Sequence, residues 1–244
     1  MEHSMERWYM LTGQRFSVRK FAGQPQKDAI AELKAVARRL SCNGVRIVLK
    51  RNAEVFPPSA LWYGRISGTP VYAAFIAKKD ADSRMIGYIG EAFILECTAM
   101  GLGTCWLGAS YKKSVVTGTV RLDEDEYISC ITPIGIPNEA PSKRQRKPLS
   151  KLTGLYDDEL VELPDWQKAA ISCARIAPSA LNSQPWKFIL AKDSVTVKCI
   201  SPNFGYGMLD CGIAMLHIEL GASHCGVTGD WTLEHACATF RPFD

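Results

Sequence analysis

The sequence predicts an α+β fold, and three observations predict it. Amphipathic helical stretches alternate with short β-branched or apolar runs. One stretch, 86–100, is apolar on almost every face, as a helix buried in the middle of a molecule would be. The order of the first half (helix, strands, apolar helix, strand) then recurs in the second.

Taken in order, 29–40 places apolar residues at 30, 33, 36, 37 and 40, with Glu32, Lys34, Arg38 and Arg39 on the other side. That spacing predicts an amphipathic helix, ended by Ser41-Cys42-Asn43-Gly44. Runs 45–50 and 69–77 read as strands, with an irregular, proline- and aromatic-rich stretch at 52–68 between them. The apolar helix at 86–100, about 22 Å long at 1.5 Å per residue, is expected to stop at Gly101-Leu102-Gly103. Residues 127–136 read as a strand, and 137–148 turn to proline and base, as a crossover or linker does. The second half offers a helix at 166–176, strands at 186–191 and 195–200, an apolar helix at 208–220 ending at Gly221, and a last strand near 235–240. A shift of about 120 residues brings Gly221 onto Gly101 and Cys225 onto Cys105.

A chain of 244 residues can bury a substantial core, and 47% apolar with 22% charged residues fits a soluble globular protein. The net charge of +4 suits an anionic small molecule and is too weak for a nucleic-acid surface. Nine cysteines, at 42, 97, 105, 130, 173, 199, 211, 225 and 237, contain no CxxC pair and read as reduced, mostly buried thiols. Residues 1–14 lack the basic start and apolar run of a secretory leader, and no run reaches membrane-spanning length. The expectation is a cytoplasmic protein with neither nucleic-acid nor membrane partners.

Four segments carry possible chemistry. Arg15-Phe16-Ser17-Val18-Arg19 puts two guanidiniums and a hydroxyl within five residues, which could meet a phosphate or could be a solvated basic turn. The segment 101–108, Gly-Leu-Gly-Thr-Cys-Trp-Leu-Gly, could bring backbone amides close to a planar ligand, or could simply cap the helix before it. It is not a dinucleotide fingerprint, because it follows a helix and not a strand. Arg144 and Arg146 could neutralise a phosphate or belong to an exposed linker. Residues 177–186, Ala-Pro-Ser-Ala-Leu-Asn-Ser-Gln-Pro-Trp, could hold a flat polar ligand or be an ordinary helix-to-strand connection. Cys211, His217, Cys225, His235 and Cys237 match no zinc spacing; His217 reads as a hydrogen-bonded core histidine and Cys105 as a buried thiol.

Together these segments resemble the FMN-dependent nitroreductase family: Arg15/Ser17/Arg19 near the N-terminus, Pro178-Ser179-Ala180-Leu181-Asn182-Ser183-Gln184-Pro185-Trp186, the glycine segment 101–108 after a long helix, and the basic pair Arg144/Arg146. One departure is informative. In the family the Pro-Ser-x-x-Asn loop precedes the central helix and glycine segment, and here it follows both. Family members are usually intertwined homodimers whose flavin sites take this loop from the partner subunit. With the repeat, the resemblance therefore implies a nitroreductase-like fold of two related α/β halves, 1–150 and 151–244, packed as an intramolecular pseudo-dimer around long central helices. Such a chain would act as a monomer with one complete FMN site.

The resemblance further implies that Arg15, Arg144 and Arg146 contact the FMN phosphate with help from Ser17, and that Arg19 lies near the flavin N1/O2 edge. Backbone amides around Leu107 and Gly108 would face N5, while Pro178, Ser179, Ala180 and Asn182 would hold the ribityl side. Phe16, where the family commonly has a basic residue, makes the phosphate pocket less cationic. No side chain is expected to act as a nucleophile; hydride would come from NAD(P)H and go to a nitroaromatic, quinone or similar small-molecule acceptor. Phe56, Trp62 and Tyr63 are candidates for the acceptor pocket. The alternatives are an FMN-binding or structural protein of this fold without turnover, and a flavin dehydrogenase or dehalogenase.

Overall fold

A computed structural model describes residues 2–57, 65–142 and 144–243. The expected mixture of helix and sheet is present. In chain order the elements are α1 (Glu2–Thr12), β1 (Phe21–Gly23), α2 (Lys27–Leu40), β2 (Val45–Arg51), β3 (Val71–Lys78), α3 (Ser83–Ala99), β4 (Gly103–Thr104), α4 (Lys113–Thr119), β5 (Glu126–Pro137), α5 (Leu149–Thr153), α6 (Asp157–Val161), α7 (Asp165–Arg175), β6 (Trp186–Ala191), β7 (Ser194–Cys199), α8 (Gly207–His224), β8 (Gly229–Leu233) and β9 (Cys237–Pro242).

They form two compact units, Gln14–Lys143 and Met1–Gly13 with Arg144–Asp244. These bounds differ from the expected halves at two places. The first helix joins the later unit, and 144–150 join it too.

In the unit Gln14–Lys143 the sheet order is β1-β5-β3-β2, with β4 added to β5, and every pairing is antiparallel. β3 is central and buried at every position except Lys78, which explains why it reads as an unbroken apolar run. α3 begins three residues earlier than expected, because the Asp82 side chain accepts the Arg84 N–H and caps it. It ends as expected at Gly101, left-handed at φ 71°, where the Leu102 N–H returns to the Cys97 carbonyl.

The other unit carries the sheet β6-β7-β9-β8, also antiparallel, over a core that includes Trp186, Phe188 and Phe240. Here α8 corrects the sequence reading, since it runs through Gly221 to His224. Gly221 serves close helix packing: a Cβ there would lie 2.5 Å from the Ala169 carbonyl oxygen and 2.6 Å from Ala170 Cα on α7. The left-handed glycine after α8 is Gly226, φ 76°, so a shift of 125 residues, not 120, matches the two helix ends. α1, which the sequence reading did not anticipate, is held on α8 by Tyr9 stacked 4.0 Å from His224, whose Nδ1 lies 3.0 Å from a Glu6 carboxylate oxygen.

The two units share an order. In each, a helix precedes an antiparallel strand pair, an apolar helix follows, and a later strand pairs antiparallel with the second member of that pair.

Candidate functional site

In the unit Gln14–Lys143, the segment 15–20 lies alongside the glycine segment. Ser17 bridges Thr104 in parallel, and the Val18 N–H donates to the Thr104 carbonyl at 2.8 Å. Gly103 permits this approach, since a Cβ there would sit 2.7 Å from Val18. Val18 is buried, and Phe16 packs partly buried on the same apolar cluster. Alternation along extended backbone turns Arg15, Ser17 and Arg19 to the other side.

All three act on the Cys105 thiol. Burial pushes the Cys105 thiol up, while the Arg19 and Arg15 charges and a Ser17 hydrogen bond pull it down and Glu139 pushes it up again. The thiol stays protonated, as expected of a buried cysteine and not of a nucleophile. Glu139 also accepts the backbone N–H groups of Arg19 and, at 3.3 Å, Lys20. The Arg19 guanidinium reaches back to the Ser17 carbonyl at 3.4 Å.

Arg15 is the more constrained cation. Its side chain is 6% exposed, and its Nε lies 3.4 Å from Glu91 Oε1. Glu91, fully buried on α3, also accepts the Trp106 indole N–H at 2.9 Å. Trp106 stacks on Phe75 at 4.7 Å over Gly90, where a Cβ would lie 2.4 Å from the indole. Arg15 Nη1 is buried and has no hydrogen-bond partner among the described residues. A buried cationic donor left open in this way fits an anion oxygen.

Further along, the Leu107 N–H and carbonyl both pair with Ile131. That amide is spent inside the sheet, and the Gly108 amide makes no such bond among the described residues. Of the aromatics considered for an acceptor pocket, Phe56 is buried against Tyr72 as core, and Trp62 and Tyr63 lie outside the described residues.

In the other unit, the loop 177–186 is held by the basic segment before α5. Arg146 donates to the Asn182 side-chain oxygen and, at 2.9 Å, to the Ile176 carbonyl. The Asn182 side-chain amide donates to the Gln145 carbonyl at 2.8 Å, and Lys147 Nζ reaches the Ser183 and Gln184 carbonyls at 2.7 and 3.0 Å. Ser179 Oγ accepts the Gln184 N–H at 2.9 Å, and Pro178 is buried. Leu181, Asn182 and Gln184 all have positive φ. The Ala180 N–H donates to Asp210. Arg146 and Asn182 thus hold each other, while Arg144 is exposed. Ser183 Oγ and Trp186 Nε1 are buried without a hydrogen-bond partner among the described residues.

Sequence reasoning missed Glu91, Glu139 and Asp210. Glu91 and Asp210 were legible only as acids inside otherwise apolar helices. His217 is the expected core histidine, with Nδ1 3.0 Å from the Cys173 carbonyl. Among the described residues there is no cluster able to hold a metal, and no helix is long and apolar enough to cross a membrane.

A family described as "Putative TM nitroreductase" matches residues 9–222. The crystal structure of a "putative nitroreductase" from Thermotoga maritima is 21% identical, with 96% of this chain and 93% of that chain covered at a TM-score of 0.70. A nitroreductase family protein from Streptococcus pneumoniae is 14% identical, covering 60% of this chain and 98% of its own, TM-score 0.50. A "putative nitroreductase" from Desulfovibrio desulfuricans, solved in complex with FMN, is 19% identical and covers 61% and 96%, TM-score 0.47. No curated protein matches the chain.

Proposed function

We propose that this chain, which belongs to the nitroreductase family, is an FMN-dependent oxidoreductase that carries reducing equivalents from NAD(P)H to nitroaromatic, quinone or similar acceptors. The observation that carries this reading is Arg15: a nearly buried guanidinium paired with Glu91, which also takes the Trp106 indole N–H, with Nη1 unpartnered among the described residues and Ser17 and Arg19 on the same side of the segment. An open cationic donor set is what a phosphate or an electron-rich ring edge requires.

FMN, when bound, supplies the two-electron chemistry that no side chain here offers. In this proposal Arg15, Ser17 and Arg144 hold its phosphate, and Arg19 places a fixed positive charge for the flavin N1/O2 edge. Gly108, whose amide has no partner among the described residues, faces N5; Leu107, whose amide is spent on Ile131, fixes the backbone beside it. Pro178, Ser179, Ala180 and Asn182 take the ribityl side. Arg146, spent on Asn182 and Ile176, contributes chiefly by holding that loop. Phe16 contributes apolar packing in place of charge.

The shared order of the two units and the matched left-handed glycines, Gly101 and Gly226, support descent from a duplicated half, with one flavin per chain.

The purified protein is expected to be yellow, to hold one FMN per chain and to bleach when NAD(P)H is added without oxygen. Colourless protein that takes up no added FMN would end the flavoenzyme reading, and yellow protein that NAD(P)H leaves unbleached would favour binding alone. Arg15→Ala removes a charged hydrogen-bonding partner worth about 1.5–3 kcal/mol and should weaken FMN retention by about ten- to a hundredfold, read by equilibrium titration.

A further inference from the structure

Asp210 is 2% exposed on α8. Its Oδ1 accepts the Ala180 N–H at 3.1 Å, and its Oδ2 accepts the Asn203 side-chain amide at 2.6 Å. The same Asn203 Nδ2 donates to the Ala180 carbonyl at 3.2 Å. Both ends of residue 180 are therefore held through one buried carboxyl. On either side of this clamp the backbone is left-handed at non-glycine residues: Leu181 and Asn182 in one loop, Asn203 and Phe204 in the other. Such conformations persist only where surrounding bonds over-determine them.

We propose that Asp210 is a positioning residue for the loop 177–186: with Asn203 it clamps Ala180, fixes the left-handed turn that follows, and makes the shape of the loop depend on its own charge. Every bond to the carboxyl is donated to it, so the arrangement is that of the carboxylate. A proton on either oxygen needs an acceptor. The nearest polar group, the Asn203 amide, could provide one only by turning over and giving up its bond to the Ala180 carbonyl.

Burial is the main cause that pushes Asp210 up to about 7, against the hydrogen bonds from Asn203 and Ala180. Cys199, at the end of β7, is the other ionisable group acting on it, and it too raises the value. The cations of the neighbouring loop are engaged elsewhere, Arg146 with Asn182 and Ile176, Lys147 with Ser183 and Gln184. The loop is therefore clamped at pH 8 and slackened at pH 6.

The test is hydrogen exchange of the Ala180 amide in the full-length protein without added flavin, expressed as a protection factor so that the intrinsic pH dependence of exchange cancels. The wild type should lose about tenfold in protection between pH 8 and pH 6, as the ionised fraction falls. Asp210→Asn, nearly isosteric but unable to carry the charge, should show the low value at both pH values, as should Asn203→Ala. Equal protection at pH 6 and pH 8 in the wild type, or wild-type protection in Asp210→Asn at pH 8, would overturn the proposal.

The consequence for flavin rests on the function proposed above. FMN should dissociate about tenfold faster at pH 6 than at pH 8 in the wild type, and at one pH-independent rate in Asp210→Asn. Protection that follows pH in a protein that binds no FMN would uphold the clamp and refute the flavin reading.

Discussion

The two apolar helices, α3 and α8, solve one problem in different ways. Each buries carboxyl groups in a largely apolar surface. On α3, Glu91 faces the Arg15 guanidinium and the Trp106 indole, and Glu96 faces Arg39 at 3.7 Å. On α8, Asp210 has only amide donors as hydrogen-bond partners among the described residues. A facing cation favours the charged form of a carboxyl, whereas at Asp210 the amide donors offset only part of the effect of burial. The first arrangement suits a site that must present a constant charge. The second suits a loop that can change.

The largest expected effect tests the paired side. Glu91→Ala leaves Arg15 buried without its counter-ion and Trp106 without its acceptor, and should cost about 3–5 kcal/mol in denaturant unfolding. A cost near zero would mean that solvent reaches Arg15 and that the contrast between the helices is not one of pairing. Next comes Gly221→Ala, which drives a methyl into the α7 backbone and should cost about 1–3 kcal/mol. Gly101→Ala, at the left-handed turn just after α3, meets no atom within 4 Å and pays only for positive φ, about 1 kcal/mol. Equal losses at the two glycines would show that both act as helix caps, as the sequence alone suggested.

Asp210→Asn sharpens the contrast through pH. A carboxyl whose folded value is raised from 3.8 to about 7 contributes stability that is full below about pH 4 and lost as pH rises through 7. Thermal unfolding should therefore favour the variant progressively between pH 5 and pH 8, by about 1–3 kcal/mol at the upper end. Glu126 has the opposite sign. Its bidentate pairing with Arg46 holds it down to about 2, so its contribution is present above its ordinary range and lost as pH falls through 2. Global stability and loop order thus respond to Asp210 in opposite directions, which separates the two measurements.

Much of the fold was legible because periodicity is local. Runs such as 45–50 and 186–191 form the strands they predict, and α2 and α7 lie where amphipathic spacing put them. α1 escaped notice because it owes its place to contacts made by Tyr9 and Glu6 with His224, more than two hundred residues away. Of the candidate site, the residue types were visible and their partners were not. Nothing in 15–19 announces that it lies beside 103–105, and nothing in Arg146 says that its guanidinium is taken by Asn182. The C-terminal end of α8 was misplaced for a related reason. A glycine that ends a helix and a glycine that admits a neighbouring helix look alike until the neighbour is known.

The left-handed residues of the loop carry one more consequence. Leu181, Asn182 and Gln184 give three unfavourable backbone choices within four positions, and only Asn is a residue that tolerates that region well. A synthetic peptide spanning 177–186 would relax to ordinary extended and turn conformers. The shape of this segment is thus a property of the folded unit that grips it, and grafting the ten residues onto another scaffold would transfer the letters without the shape.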